Sequence, residues 1–116
     1  MPYNRGSVVL VLFPDSNLKT AKRRPALVVQ SNNIGTGLSQ TIIAMITSNV
    51  SRAGHPSRVF VNIAIPEGKQ TGLITDSVIM TDNLATVLDT EIDRVIGFWS
   101  EMSLVDAALR HTLEIL

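Results

Sequence analysis

The chain has 116 residues, enough for one domain with a buried core and too few for two. Hydrophobic residues make up 45% and charged residues 17%, a balance that excludes a disordered chain, and ten Lys plus Arg against ten Asp plus Glu leave no whole-molecule field to draw it onto nucleic acid or an acidic membrane. The absence of cysteine excludes a disulfide scaffold, a thiol nucleophile and Cys-ligated zinc, and two His far apart in sequence speak against a His-rich metal site.

The first apolar run, Val8 to Phe13, is closed by the turn formers Pro14, Asp15, Ser16 and Asn17, which predicts a buried strand. It is far shorter than the roughly 20 residues that span a bilayer. With Met1 to Arg5 before it, it also lacks the length and cleavage site of a signal peptide, so the expected compartment is the cytoplasm and no membrane partner is expected. A polar, basic loop from Asn17 to Arg24 ends at Pro25, where a second strand over Ala26 to Val29 begins. A loop containing Gly35 and Gly37 leads to a third strand, Gln40 to Thr47, stopped by Ser48 and Asn49. A cationic loop from Ser51 to Ser57 precedes a fourth strand, Val59 to Ile65, with strict two-residue alternation. Pro66 to Lys69 reads as a turn, Asp76 to Thr81 as a fifth strand, and Val95 to Trp99 as a sixth. Leu104, Val105, Ala108, Leu109 and Leu113 then recur at helical spacing, with Ser100 or Ser103 as alternative starts, the latter forming a capping-box pattern with Asp106. Short strands followed by one terminal helix predict a single domain over residues 1–116, mainly β with α+β character: a small, strongly curved antiparallel sheet or barrel with a helix packed on it.

The only dense positive patch is Lys19, Lys22, Arg23 and Arg24. It reads either as a solvated loop guarding the apolar run behind it or as a phosphate site, and Arg24, rigidified by Pro25, is the member suited to bidentate phosphate contact. Thr47, Ser48 and Asn49 end an apolar strand with three hydrogen-bonding side chains, which can cap the strand or grip a phosphate oxygen. Arg52, His55 and Arg58 form a second cationic loop, either solvated or extending a groove for an RNA backbone. His111 is expected to pack or face solvent, and Trp99 to belong to a core or interface. Asp82, Asp89, Glu91 and Asp93 lack metal-loop spacing, and no Gly-rich loop precedes a helix, so no metal and no cofactor are expected.

Taken in order, Arg5-Gly6-Ser7-Val8-Val9, Lys22-Arg23-Arg24-Pro25-Ala26-Leu27-Val28-Val29, Ile42-Ile43-Ala44-Met45-Ile46-Thr47-Ser48, Gly72-Leu73, Ser77-Val78-Ile79, Val95-Ile96-Gly97 and Val105-Asp106-Ala107-Ala108-Leu109 resemble the MazF/PemK toxin family over nearly the whole chain. That resemblance implies a small SH3-like antiparallel β-barrel with a C-terminal α-helix, acting as a homodimeric, metal-independent endoribonuclease on single-stranded mRNA and inhibited by a cognate acidic antitoxin. It assigns the catalytic arginine to Arg24 and the catalytic threonine to Thr47, with Ser48 adjacent, and leaves Lys19, Lys22, Arg23, Ser48, Arg52, His55 and Arg58 as RNA-binding candidates. The implied reaction is attack of a ribose 2′-hydroxyl on the neighbouring phosphate, giving a 2′,3′-cyclic phosphate and a 5′-hydroxyl. Arg24 would neutralise charge and protonate the leaving 5′-oxygen, and Thr47 would orient the phosphate.

The chain departs from the family pattern at Ser7, where an acidic residue is common, at Lys19, which replaces a loop glutamate, and at Asn83-Leu84-Ala85-Thr86, which lacks an RNA-binding arginine. The usual aromatic of the first strand is also absent. Two other readings stand beside the ribonuclease: a degenerate member that binds RNA or a partner without efficient cleavage, and a gyrase poison of CcdB type. The second is the weaker, because the chain ends Glu114-Ile115-Leu116 rather than Trp-Gly-Ile.

Overall fold

Branched and aliphatic residues give the first strand, and the computed structural model, which describes residues 3–14 and 19–116, places β1 at Ser7–Pro14. The expected turn at Asp15, Ser16 and Asn17 lies outside the described residues. The strands β2 (Ala21–Val28), β3 (Gln40–Thr47), β4 (Arg58–Val61), β5 (Ser77–Leu88) and β6 (Ile92–Phe98) complete one sheet, with a four-residue helix α1 (Pro66–Lys69) between β4 and β5 and a terminal helix α2 (Met102–Leu113). The spatial order is β4-β5-β3-β2-β1-β6, and every neighbouring pair is antiparallel. Among the described residues no ladder joins β4 to β6, so the barrel-like sheet is not closed by hydrogen bonds.

Both faces of the sheet are buried, and strand alternation decides which residue goes where. Val8, Leu27, Ala44, Ile46, Val59, Val61 and Ile79 form one cluster with Trp99 and with Val105 and Ala108 of α2. Val9, Val11, Ala26, Val28, Ile43, Met45, Val78 and Met80 form the other, on the opposite face. Arg5 fastens α2 to the sheet: its Nε donates to the Val29 carbonyl and its terminal nitrogen contacts Asp106 at 2.7 Å. Asp106 is therefore engaged by Arg5, and α2 starts at Met102 after Glu101 with no side-chain cap, in place of either expected start, at Ser100 or at Ser103 with its capping box.

Several expected boundaries move. The basic segment is strand rather than loop, because the β1–β2 ladder runs from Leu27 opposite Val8 to Ala21 opposite Pro14 and carries Lys22, Arg23 and Arg24 with it. β3 pairs with β2 only as far as Ala26, so residues 21–25 have a single neighbouring strand, and Pro25 and the charged side chains suit that open edge. β4 ends at Val61, because Asn62 to Ile65 turn into α1 where a continued strand and a simple turn were expected. β5 runs on through Asp82 and Asn83 to Leu88, and β6 starts earlier, at Ile92.

β5 absorbs its extra length in a bulge. Ala44 pairs with Leu84 while the next residue, Met45, pairs with Met80, leaving Thr81, Asp82 and Asn83 outside the ladder. Thr81 fixes this bulge by donating its backbone N–H (3.0 Å) and its hydroxyl (2.6 Å) to the Ser57 carbonyl.

Gly72 sits at φ +75° where its loop presses on β6, and a Cβ there would overlap the Ile96 carbonyl. Gly72→Ala is expected to destabilise the fold by about 1–3 kcal/mol, from overpacking together with left-handed strain, as read from the midpoint of urea unfolding. A wild-type midpoint would contradict that packing.

Candidate active site

The β2–β3 register pairs Ala26 with Met45, Leu27 with Ala44 and Val28 with Ile43. Continued two residues further it sets Pro25 opposite Ile46 and Arg24 opposite Thr47, but the ladder stops at Ala26 and Met45, and a cleft opens where the strands part. One cavity of about 330 Å³ is lined by Arg23, Arg24, Pro25, Ile46, Thr47 and Ser48 with the 73–77 segment across from them. A second, of about 400 Å³, is lined by Arg24, Thr47, Phe13, Met45, Ile46, Asn83 and Ala85. Arg24 and Thr47 line both, so they stand between the two halves of the cleft. The β5 bulge delivers Asn83 to the second half.

Arg24 is exposed and makes no ion pair or side-chain hydrogen bond among the described residues, whereas the neighbouring Arg23 contacts the Asp93 carboxylate on β6 at 2.8 Å through Nε. The two arginines are thus already sorted, with Arg23 tethered and Arg24 open to a ligand. Thr47 Oγ1 accepts the Asn49 backbone N–H at 3.1 Å, which orients the hydroxyl and leaves its hydrogen available to donate. Asn49 in turn accepts from the Ser51 backbone N–H, at 3.2 Å, and from its hydroxyl. Thr47 and Asn49 therefore cap the strand end, while Thr47 and Ser48 line the cleft. Among the described residues no Asp, Glu or His lines either cavity, so a bound anion meets no opposing carboxylate from them. Among the described residues no three His, Asp or Glu side chains converge as a metal-binding group.

The structure brings together Arg23, Arg24, Thr47 and Ser48 and sets the other candidates apart. Lys22, exposed on β2 and paired across the ladder with Phe13, lines neither cavity itself, and Lys19 is exposed before β2. Arg52, His55 and Arg58 line neither half of the cleft. Arg52 lies against Met80 Sδ at 3.7 Å, His55 Nδ1 accepts the Ser57 N–H and its ring meets the edge of His111, and Arg58 is held by Asp82 at 2.8 Å. Sequence reading missed the 73–77 segment, whose signal was a Gly72 break followed by Thr75 and Ser77. It also missed the inward role of Asn83, hidden by the bulge.

Hydrogen bonding from Arg58 holds the Asp82 carboxyl below the usual carboxylate range, with a smaller contribution from their charge attraction. A depressed folded-state pKa stabilises above the unfolded value of about 4 and is lost as pH falls through the folded value. Wild-type protein is therefore expected to lose stability below about pH 4 by slightly more than Asp82→Asn, the contribution being small for so exposed a pair. Equal acid sensitivity of the two in urea titrations would contradict it.

The family model for PemK-like, MazF-like toxins of type II toxin-antitoxin systems matches residues 4–113. The endoribonuclease MazF2 of Mycobacterium bovis is 36% identical over 107 residues, covering 90% of each chain. Among solved structures, a mycobacterial endoribonuclease in complex with its cognate antitoxin superposes with a TM-score of 0.73 at 21% identity, covering 98% of this chain and 97% of the other. The MazE–MazF complex of Deinococcus radiodurans superposes with a TM-score of 0.74 at 18% identity over the full length of both chains. At those identities the superpositions speak to the fold, and they match the open six-stranded sheet with its terminal helix.

Proposed function

The chain belongs to the PemK-like, MazF-like toxins of type II toxin-antitoxin systems, and from that premise we propose that it is a metal-independent endoribonuclease cutting single-stranded mRNA, with Arg24 and Thr47 as its catalytic residues. The observation that carries this reading is that Arg24, whose guanidinium has no partner among the described residues, and Thr47 line the same two cavities just beyond the point where β2 and β3 part. In the reaction the ribose 2′-oxygen attacks phosphorus and the bond to the 5′-oxygen breaks. One proton leaves the 2′-oxygen and one reaches the 5′-oxygen, so a 2′,3′-cyclic phosphate and a 5′-hydroxyl result. Negative charge gathers on the non-bridging oxygens as phosphorus becomes five-coordinate. A fixed guanidinium and hydroxyl aimed at those oxygens lower the barrier without a metal, in a cleft where no described lining residue is a competing carboxylate. DNA lacks the 2′-nucleophile and is not cut.

Arg23 and Lys22 on β2, Lys19 before it and Ser48 after β3 extend phosphate contact, while Arg52, His55 and Arg58 take a secondary part at most, given the internal contacts of Arg52 and Arg58. The acting form is a homodimer of single-domain chains, supported by the exposed apolar side chains of Phe60, Leu88, Val95, Phe98 and Leu104. A cognate antitoxin with acidic residues is the inhibitor, competing for the basic edge of β2 as RNA does. The cytoplasm, where mRNA is met, is the site of action, and no helix of the described residues is long and apolar enough to cross a membrane.

Purified protein is expected to cleave single-stranded RNA in excess EDTA, and Thr47→Val to lower the rate about tenfold or more, as loss of one hydrogen-bond donor to a charged oxygen requires. Activity that vanishes in EDTA and returns with Mg²⁺ would overturn the metal-independent reading. RNA that binds without being cut would identify a non-cleaving member, the alternative that Lys19 and Ala85 favour.

A further inference from the structure

A third cavity, of about 310 Å³, opens beside the cleft and shares Pro25, Leu73 and Ile74 with its first half. Its remaining walls are Leu10, Gly72, Ile96 and Arg94, so it is an apolar recess with one guanidinium at its rim. Two features mark it as a built site. The loop that forms one wall is pinned, with the Thr71 hydroxyl bonded to the Gly68 carbonyl, the Leu73 N–H donated to Thr71 Oγ1, and Gly72 packed against the Ile96 carbonyl. On that rigid loop Ile74 is 93% exposed, standing as an apolar partition between recess and cleft. Arg94 is exposed on β6 and makes no ion pair or side-chain hydrogen bond among the described residues, although Asp93 beside it is engaged by Arg23.

We propose that this recess is a nucleobase subsite for the nucleotide next to the scissile phosphate, with Ile74 and Leu73 against the base face and Arg94 as a specificity-determining residue on the base edge. The proposal rests on the ribonuclease reading above and deepens it. The occupant follows from continuity. A chain whose phosphate sits on Arg24 places its next base across Pro25, the residue common to cleft and recess, and an unstacked base needs both an apolar face and a donor at its edge. A planar guanidinium supplies two parallel donors to one base edge, which favours guanine through its paired acceptors.

The test uses wild type, Arg94→Ala and Ile74→Ser on a randomised single-stranded RNA pool, with the new 5′ ends sequenced. A parallel arm measures binding of an uncleavable RNA carrying a single 2′-deoxyribose at the cut site, with the flanking base either present or abasic. Wild type is expected to prefer one base beside the cut and to bind the abasic RNA about tenfold more weakly, as loss of one base contact predicts. Arg94→Ala is expected to lose that preference at that position alone and to show no further loss on the abasic RNA. Arg94→Ala and Ile74→Ser retaining the wild-type preference and the abasic penalty would overturn the subsite. So would variants that leave RNA binding unchanged while weakening binding of the antitoxin, which would give the recess to that protein. Failure of the ribonuclease reading is distinct: wild type would leave the pool uncut, and sequencing the RNA that the wild type and the two variants retain from that pool would still report on the subsite.

Discussion

Arg24→Ala is expected to lower RNA cleavage by about 10²–10³-fold while leaving the protein folded. The size follows from the site: Arg24 is the cationic side chain common to both halves of the cleft, and it has no partner among the described residues to absorb its charge. Losing a preorganised donor to a developing oxyanion acts on the transition state, so the fall should appear in kcat more than in KM. The side chain is exposed at an open strand edge and contributes no core, so stability should stay within about 0.5 kcal/mol of wild type. Arg23→Ala makes the natural control. Its guanidinium is tied to Asp93 at the rim, so its loss should mainly weaken binding and flatten the salt dependence. Full activity in Arg24→Ala would remove the assignment.

The largest expected effect on stability belongs to Leu27. It is fully buried three residues along the same strand, on the face where Trp99, Val105 and Ala108 lock α2 to the sheet. Leu27→Ala removes three carbons from a site enclosed by β1 on one side and β3 on the other, where the backbone ladders resist collapse. The cost is expected to be about 3–5 kcal/mol in urea unfolding, a large share of the 5–15 kcal/mol typical of a domain. Activity measured well below the melting transition should persist, because Arg24 and Thr47 lie beyond the end of the β2–β3 ladder. A loss under about 1 kcal/mol would contradict this placement of the core.

β3 was legible residue for residue because Gln40 to Thr47 is an uninterrupted β-forming run with a polar stop, and the helical period of Leu104 to Leu113 declared α2. The basic stretch before Pro25 was not legible as strand. Its side chains are polar because it lies on an open edge, and only the ladder to β1 shows that Lys22, Arg23 and Arg24 are extended. The β5 bulge was hidden for a related reason: Asp82 and Asn83 read as a break, whereas Thr81 donating to the Ser57 carbonyl and Arg58 pairing with Asp82, both partners distant in sequence, hold the strand on through the bulge. Pairing Arg24 with Thr47 as catalytic residues came from family resemblance, and the interrupted register of β2 and β3 supplies a physical reason for the pair. The sorting of Arg23 from Arg24 needed Asp93, seventy residues downstream of Arg23, and no local pattern carries that information.

The measurement closest to the central claim is the fate of one short single-stranded RNA incubated with the protein in EDTA, alongside the same RNA bearing a single 2′-deoxyribose at the cut site. The account predicts a 2′,3′-cyclic phosphate and a 5′-hydroxyl from the first and no cleavage of the second at that position. Products ending in a 5′-phosphate and a 3′-hydroxyl, or cleavage at the deoxyribose, would contradict it.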